Sequence, residues 1–250
     1  MIDTHTHVYL PEFAEDVDEV IARARQAGVT SCWLPGIDQD SLPSMLALKA
    51  RHDGYFEVFA GLHPTEVGPD YARRLDVIGE ALADTIYKGI GEIGLDLYWD
   101  ATYRREQEDA LRVQLDWAVA QGRPVLLHVR QAYDEIMPIV RTYYGKGLKG
   151  IFHCFAGTLE QARELTGAGF LLGINGSITY KNTSQRGFIH QIPLQYIVTE
   201  TDAPYLSPVP LRGRRNEPAH VALVVACLAS LYGLTAEEVA RQTEMNARGL

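Results

Sequence analysis

Short runs of apolar, β-branched and aromatic residues alternate along this chain with longer stretches in which apolar residues recur every three or four positions. The short runs predict eight strands, at Ile2–His7, Ser31–Pro35, Tyr55–His63, Lys88–Asp96, Pro124–Arg130, Gly150–Phe155, Phe170–Asn175 and Tyr196–Asp202. Between them the helical period predicts Phe13–Ala27, Leu42–Arg51, Tyr103–Gln121, Tyr133–Tyr144, Leu159–Ala168 and Ala219–Leu231, with a further helix over Asp76–Thr85. Gly28, Gly122 and Gly169 close three of these runs, as glycines do at helix C-termini. Eight strands alternating with helices in 250 residues predict an α/β fold, a single-domain (β/α)8 barrel of the TIM type, over an open doubly wound sheet.

Polar residues fall where such a barrel carries its chemistry, at the C-terminal ends of the strands. His5 and His7 end the first strand and share a face, because side chains alternate with period two. His63 ends the third strand, Glu92 and Asp96 lie on the fourth, His128 and Arg130 on the fifth, His153 on the sixth, and Glu200 and Asp202 on the eighth. Five of the eight histidines thus sit in or at the ends of strands, whereas histidines scattered without function would fall mostly in helices and loops. Imidazole and carboxylate are the ligands that hold Zn²⁺ or Mn²⁺ with positions open to water. Neighbouring strands one and eight could place His5, His7 and Asp202 on one ion, and His128 and His153 could hold a second. Glu92 could then set its two oxygens between them. Two such ions clamp an attacking water and polarise a phosphoryl or carbonyl oxygen, with Asp202 as ligand and proton acceptor.

Composition narrows the substrate less. An excess of 32 acidic over 23 basic side chains leaves a net charge of −9, which excludes a broad basic surface for long polyanions. Bound cations or a small local patch would have to serve instead, and Arg130, Lys181, Arg212, Arg214 and Arg215 are the basic groups nearest the predicted barrel mouth. Cys32, Cys154 and Cys227 are odd in number and widely spaced, which reads as reduced thiols of a cytoplasmic protein; Cys154 is expected to face the core from strand six. No run approaches the length of a membrane span.

The ordered motifs Asp3–His7 (DTHTH), Gly61–Pro64 (GLHP), Gly91–Asp96 (GEIGLD), His153–Gly157 (HCFAG), Glu200–Leu206 (ETDAPYL) and Arg212–Pro218 (RGRRNEP) resemble the TatD family of metal-dependent hydrolases and deoxyribonucleases along essentially the whole chain. The resemblance implies an amidohydrolase-type barrel. It also implies divalent metals on His5, His7, Glu92, His128, His153 and Asp202, and phosphodiester hydrolysis on DNA ends or single strands with 3′→5′ exonuclease character, supported by Zn²⁺, Mg²⁺ or Mn²⁺. One departure lies beside the first motif: Val8-Tyr9 follows His7, where many relatives carry Leu-Asp. Beside the metal ligands, His63 is expected to orient substrate or relay a proton, Arg130, Lys181, Arg212 and Arg215 to contact it, and Glu200 either to contact it or to support a metal ligand from behind. Tyr98 and Trp99, after strand four, could reach a splayed base. Two rival readings remain: a small-molecule hydrolase acting on a lactone, amide or phosphotriester, whose relatives bridge their metals through a carboxylated lysine on strand four, and a non-catalytic metal-binding protein. Here that strand offers Glu92, with Lys88 four residues earlier.

Overall fold

A computed structural model describes residues 1–250. Eight parallel strands run in the order of the sequence, β1 (Ile2–Asp3), β2 (Ser31–Pro35), β3 (Phe56–Ala60), β4 (Tyr87–Asp96), β5 (Val125–Arg130), β6 (Gly150–Phe152), β7 (Leu171–Ile174) and β8 (Ile197–Thr199). Helices α1 (Val17–Gln26), α2 (Leu42–Arg51), α3 (Tyr71–Ala81), α4 (Arg104–Gln121), α5 (Tyr133–Arg141) and α6 (Leu159–Gly167) return the chain after the first six strands. Four short 3-10 turns replace a helix after β7, and α7 (Val221–Tyr232) and α8 (Ala236–Arg248) both follow β8. No single helix is long and apolar enough to cross a membrane.

The strands are buried on both faces, which is why they read as near-continuous apolar runs. Their outer side chains pack under the helices in one large core. Inside the barrel, Ile2, Trp33, Phe59, Leu126, Ile151, Leu171 and Val198 plug the N-terminal end, and Ala247 of α8 joins them from below. Polar chemistry is left to the opposite end.

The first and last strands are shorter than the periodicity predicts. Beyond Asp3 the chain leaves the regular ladder and binds its two neighbours in turn: Thr4 N donates to Thr199 O, Thr6 N to Trp33 O and His7 N to Ala203 O. Asp202 N returns a bond to His5 O, so β1 and β8 meet through these few backbone bonds. His5, His7, Glu200 and Asp202 therefore ride on chain just past the strands. Strand six is shorter for a different reason: Cys154 turns out of the extended conformation at φ +45°. It is a half-buried corner residue, which corrects the expectation of a core-facing strand position.

Helix α4 fixes two strand ends beneath the mouth. Buried Gln107 closes both backbone groups of Asp96 (3.0 and 3.2 Å), and Gln114 closes those of Leu62 (2.7 and 3.3 Å). A peptide group that leaves a ladder in a dry interior needs such a partner, and glutamine offers a donor and an acceptor together.

Candidate metal centre

Seven predicted residues converge at the C-terminal mouth: His5, His7, His63, Glu92, His128, His153 and Asp202. Glu92 stands at their centre. Its Oε2 lies 3.0 Å from His5 Nε2 and 3.5 Å from His7 Nε2, while Oε1 lies 2.8 Å from His128 Nδ1, 3.3 Å from His153 Nε2 and 3.4 Å from His63 Nε2. One carboxylate oxygen thus serves each group of histidines. Asp202 closes the first group, with Oδ1 3.7 Å from His7 Nε2 and 3.9 Å from His5 Nε2. His153 also stacks on His5 at 3.6 Å between ring centres, so the two groups share a wall.

The spacing suits a metal. Ligands of a tetrahedral ion with bonds of about 2.0–2.1 Å lie about 3.3 Å apart. His5 Nε2, His7 Nε2 and Glu92 Oε2 are separated by 3.0, 3.2 and 3.5 Å. The donor set of neutral nitrogen and carboxylate oxygen also matches Zn²⁺ or Mn²⁺.

A second layer decides which nitrogen each ring presents. The Tyr9 hydroxyl donates to Pro35 O at 2.6 Å and stands 3.0 Å from His7 Nδ1. Its single proton is committed to the carbonyl, so His7 Nδ1–H must donate to it, and Nε2 turns a lone pair to the pocket. His128 presents Nδ1, because Asp96 Oδ2 takes its Nε2 at 2.9 Å. His153 presents Nε2, because Glu200 Oε1 takes its Nδ1 at 3.1 Å. Carboxylates behind metal-ligating imidazoles fix tautomer and raise basicity in this way. His63 differs: Thr65 N–H donates to its Nδ1 at 3.2 Å, so the neutral ring carries its proton on Nε2, facing Glu92.

Electrostatics follow this pattern. Burial, helped by the His5 ring, pushes His7 well below the usual histidine range, and burial also lowers His63. For His128 burial pulls down, but hydrogen bonds to Asp96 and Glu92 outweigh it and raise the value. His153 is raised well above its usual range, the nearby charges of Glu200 and Glu92 overcoming burial. Glu92 is held well below the carboxylate range against its burial by His5, His63 and His153. Asp202 is pushed up to about 6 by burial, with His153 and His5 opposing.

The remaining predicted residues separate. Glu200 is fully buried behind His153 and accepts from Cys154 N at 2.7 Å and Asn175 Nδ2 at 3.3 Å. Arg130 stacks over Tyr98 at the mouth. Lys181 and Arg212 line a cleft of about 490 Å³ formed by the loops after β7 and β8. Arg215 is bound to both oxygens of Asp16 (2.6 and 2.9 Å) and to Glu12 O, and lies over the Phe13 ring. Asp3 anchors Thr201 and the His5 amide, holding together the segments that carry His5, His7 and Asp202 without touching the pocket. Neither the role of Tyr9 nor that of Thr65 was read from the sequence. Tyr9 did carry a signal, since it continues the alternation of His5 and His7 on the same face.

Comparison with known proteins places the chain in a family. The family model described as TatD-related DNase matches residues 2–250. An uncharacterised metal-dependent hydrolase, YabD of Bacillus subtilis, is 32% identical over 251 residues, covering 100% of this chain and 98% of that protein. A protein of Dickeya dadantii named 3′-5′ ssDNA/RNA exonuclease TatD is 32% identical over 99% of this chain and 96% of its own length. The crystal structure of YjjV, a TatD homologue from Escherichia coli, superposes with a TM-score of 0.92 at 31% identity, covering 98% of this chain and 95% of that one.

Proposed function

The chain belongs to the TatD-related DNase family and is a metal-dependent hydrolase, and we propose that its substrate is the phosphodiester bond of unpaired DNA, at ends or in single strands. The observation that carries this reading is the single carboxylate of Glu92, with one oxygen toward each group of histidines. Two divalent ions, Mg²⁺, Mn²⁺ or Zn²⁺, would be held by His5, His7 and Asp202 and by His128 and His153, with Glu92 shared; when bound they neutralise phosphoryl charge and make water acidic near neutral pH. Asp202 takes the proton of the attacking water. Its Oδ1 faces the pocket, 3.7 Å from His7 Nε2 and 3.9 Å from His5 Nε2, where it can accept that proton. His63, neutral and carrying its proton on Nε2, donates toward the phosphoryl or leaving oxygen. Lys181 and Arg212 supply positive charge for the flanking backbone, in the cleft after β7 and β8 where barrels commonly seat phosphate.

A small-molecule hydrolase with a lysine bridge is not favoured. Lys88 points to the other end of the barrel, its Nζ 5.1 Å from the Trp33 ring. The test is a panel of labelled single- and double-stranded DNA, RNA and small lactones, each with Mg²⁺, Mn²⁺ or Zn²⁺ and with chelator. Cleavage of unpaired DNA is expected, lost with chelator and restored by metal, and lost in Asp202→Asn at unchanged thermal stability. Turnover of lactones alone, or full activity in Asp202→Asn, would sink the reading.

A further inference from the structure

Trp99 is 70% exposed and Tyr98 is 46% exposed, although a large aromatic ring normally gains by burial. Their rings meet edge to face at 4.9 Å, and the Arg130 guanidinium lies 3.9 Å over Tyr98 and 5.1 Å from the Trp99 ring centre. This exposed group is built into the metal centre. Asp96 binds Tyr98 N at 3.0 Å through one oxygen and His128 Nε2 at 2.9 Å through the other. Arg130 follows His128 by two residues on β5, and so shares its face.

We infer that Tyr98, Trp99 and Arg130 form a stacking station for the nucleobase of the nucleotide next to the scissile bond, and that this station selects unpaired strands. The inference rests on the nuclease reading and adds which residues hold the base. An aromatic pair capped by a guanidinium suits a nucleobase with its phosphate: the base offers a π face, and the phosphate offers the anion that Arg130 pairs with. In a duplex both faces of a base are covered by neighbouring bases, so it reaches such a station only after unstacking. Stacking is indifferent to base identity, so discrimination by strandedness is expected without discrimination by sequence. In a chain of net charge −9, one stacked arginine beside the site is the kind of local patch a polyanion needs.

Two measurements test this. First, with metal chelated, single-stranded oligothymidylate should quench the fluorescence of Trp99, since Trp33 is buried and Trp117 is partly buried. Trp99→Ala should weaken binding about tenfold, and Trp99→Phe should lose the signal but keep the affinity, measured by competition. Second, with metal present, the wild type should cleave an oligonucleotide ending in a normal nucleotide about tenfold faster, by kcat/KM, than one ending in an abasic residue, each end being tested. Trp99→Ala should erase that ratio and Trp99→Phe should restore it. A ratio that survives in Trp99→Ala, or one erased instead by Tyr205→Ala on the His7 side of the site, overturns the station. If the wild type cleaves no oligonucleotide with any metal, the nuclease reading fails by itself. Quenching that depends on Trp99 would then still establish the station, and its absence would remove it.

Discussion

The Tyr9 hydroxyl holds His7 in one tautomer: it gives its proton to Pro35 O at 2.6 Å and receives that of His7 Nδ1 at 3.0 Å. Tyr9→Phe removes the acceptor and frees the ring to turn or to shift its proton onto Nε2. Metal affinity is expected to fall about 10- to 100-fold, with the far-UV spectrum unchanged. Calorimetric titration with Mn²⁺ or Zn²⁺ checks this, and equal affinity would refute the assigned tautomer.

The protonation of the cluster sets a pH profile for the chelated protein. His128 and His153 titrate above 6.5 in the fold. Their contribution to stability is therefore complete below about pH 6.5 and lost as pH rises through the native values. His7 and His63, lowered in the fold, lose their last unfolded-state protons within about one unit above 6.5 and oppose the fall only there. Asp202, near 6, has likewise ionised. Thermal unfolding of chelated protein should thus show Tm falling between pH 6.5 and 8.5, and Glu200→Gln should flatten the fall. With metal the slope reverses, because binding requires the unprotonated rings. A flat profile for the chelated wild type would contradict the His153–Glu200 pairing.

Gly173 on β7 leaves the room that Glu200 needs. A Cβ there would collide with Glu200 Oε2 and lie 3.1 Å from the His153 Cα. Both neighbours are buried and cannot retreat. Gly173→Ala should cost about 1–3 kcal/mol of stability and weaken metal binding through His153. Denaturant unfolding and metal titration of the same variant check both effects; wild-type values in each would show that Glu200 is free to move.

Positive charges around the mouth should divide into two kinds. Lys181→Ala and Arg212→Ala should each raise KM for single strands and lower the slope of log K against log salt by about 0.7. Arg215→Met should leave that slope intact and cost about 1 kcal/mol or less, as expected for a partly exposed ion pair. A salt titration of oligonucleotide binding separates the cases, and a reduced slope in Arg215→Met would return that residue to the substrate path.

The barrel was legible because parallel strands covered on both faces leave continuous apolar runs, and the convergence of the candidate ligands because imidazoles and carboxylates recur where those runs stop. Boundaries failed where the runs turn polar: Ile2–His7 and Tyr196–Asp202 read as strands, yet only Ile2–Asp3 and Ile197–Thr199 pair in the ladder. Helix α8 was missed because its buried positions are Val239, Thr243 and Ala247, a faint apolar stripe. The capping box of Thr235 and Glu238 marked its start all the same. A supporting role for Glu200 was readable from its place two residues before Asp202, but the pairs His128–Asp96 and His153–Glu200 join residues 32 and 47 positions apart, and no local pattern names the partners. Arg215 was expected at the substrate because its motif surrounds the mouth; its bond to Asp16 depends on how the loop after β8 folds back on the start of α1.

The few backbone bonds between Thr4–His7 and Thr199–Ala203 are also the bonds that bring His5 and His7 to Asp202. An ion on those three side chains would cross-link the two ends of the sheet over nearly the whole chain. Closing so long a loop removes more freedom from the unfolded ensemble than any local contact does. Loaded with metal, the barrel would behave as a stapled ring; stripped of it, as a sheet with a weak seam, opening first along the edge where the chemistry is done.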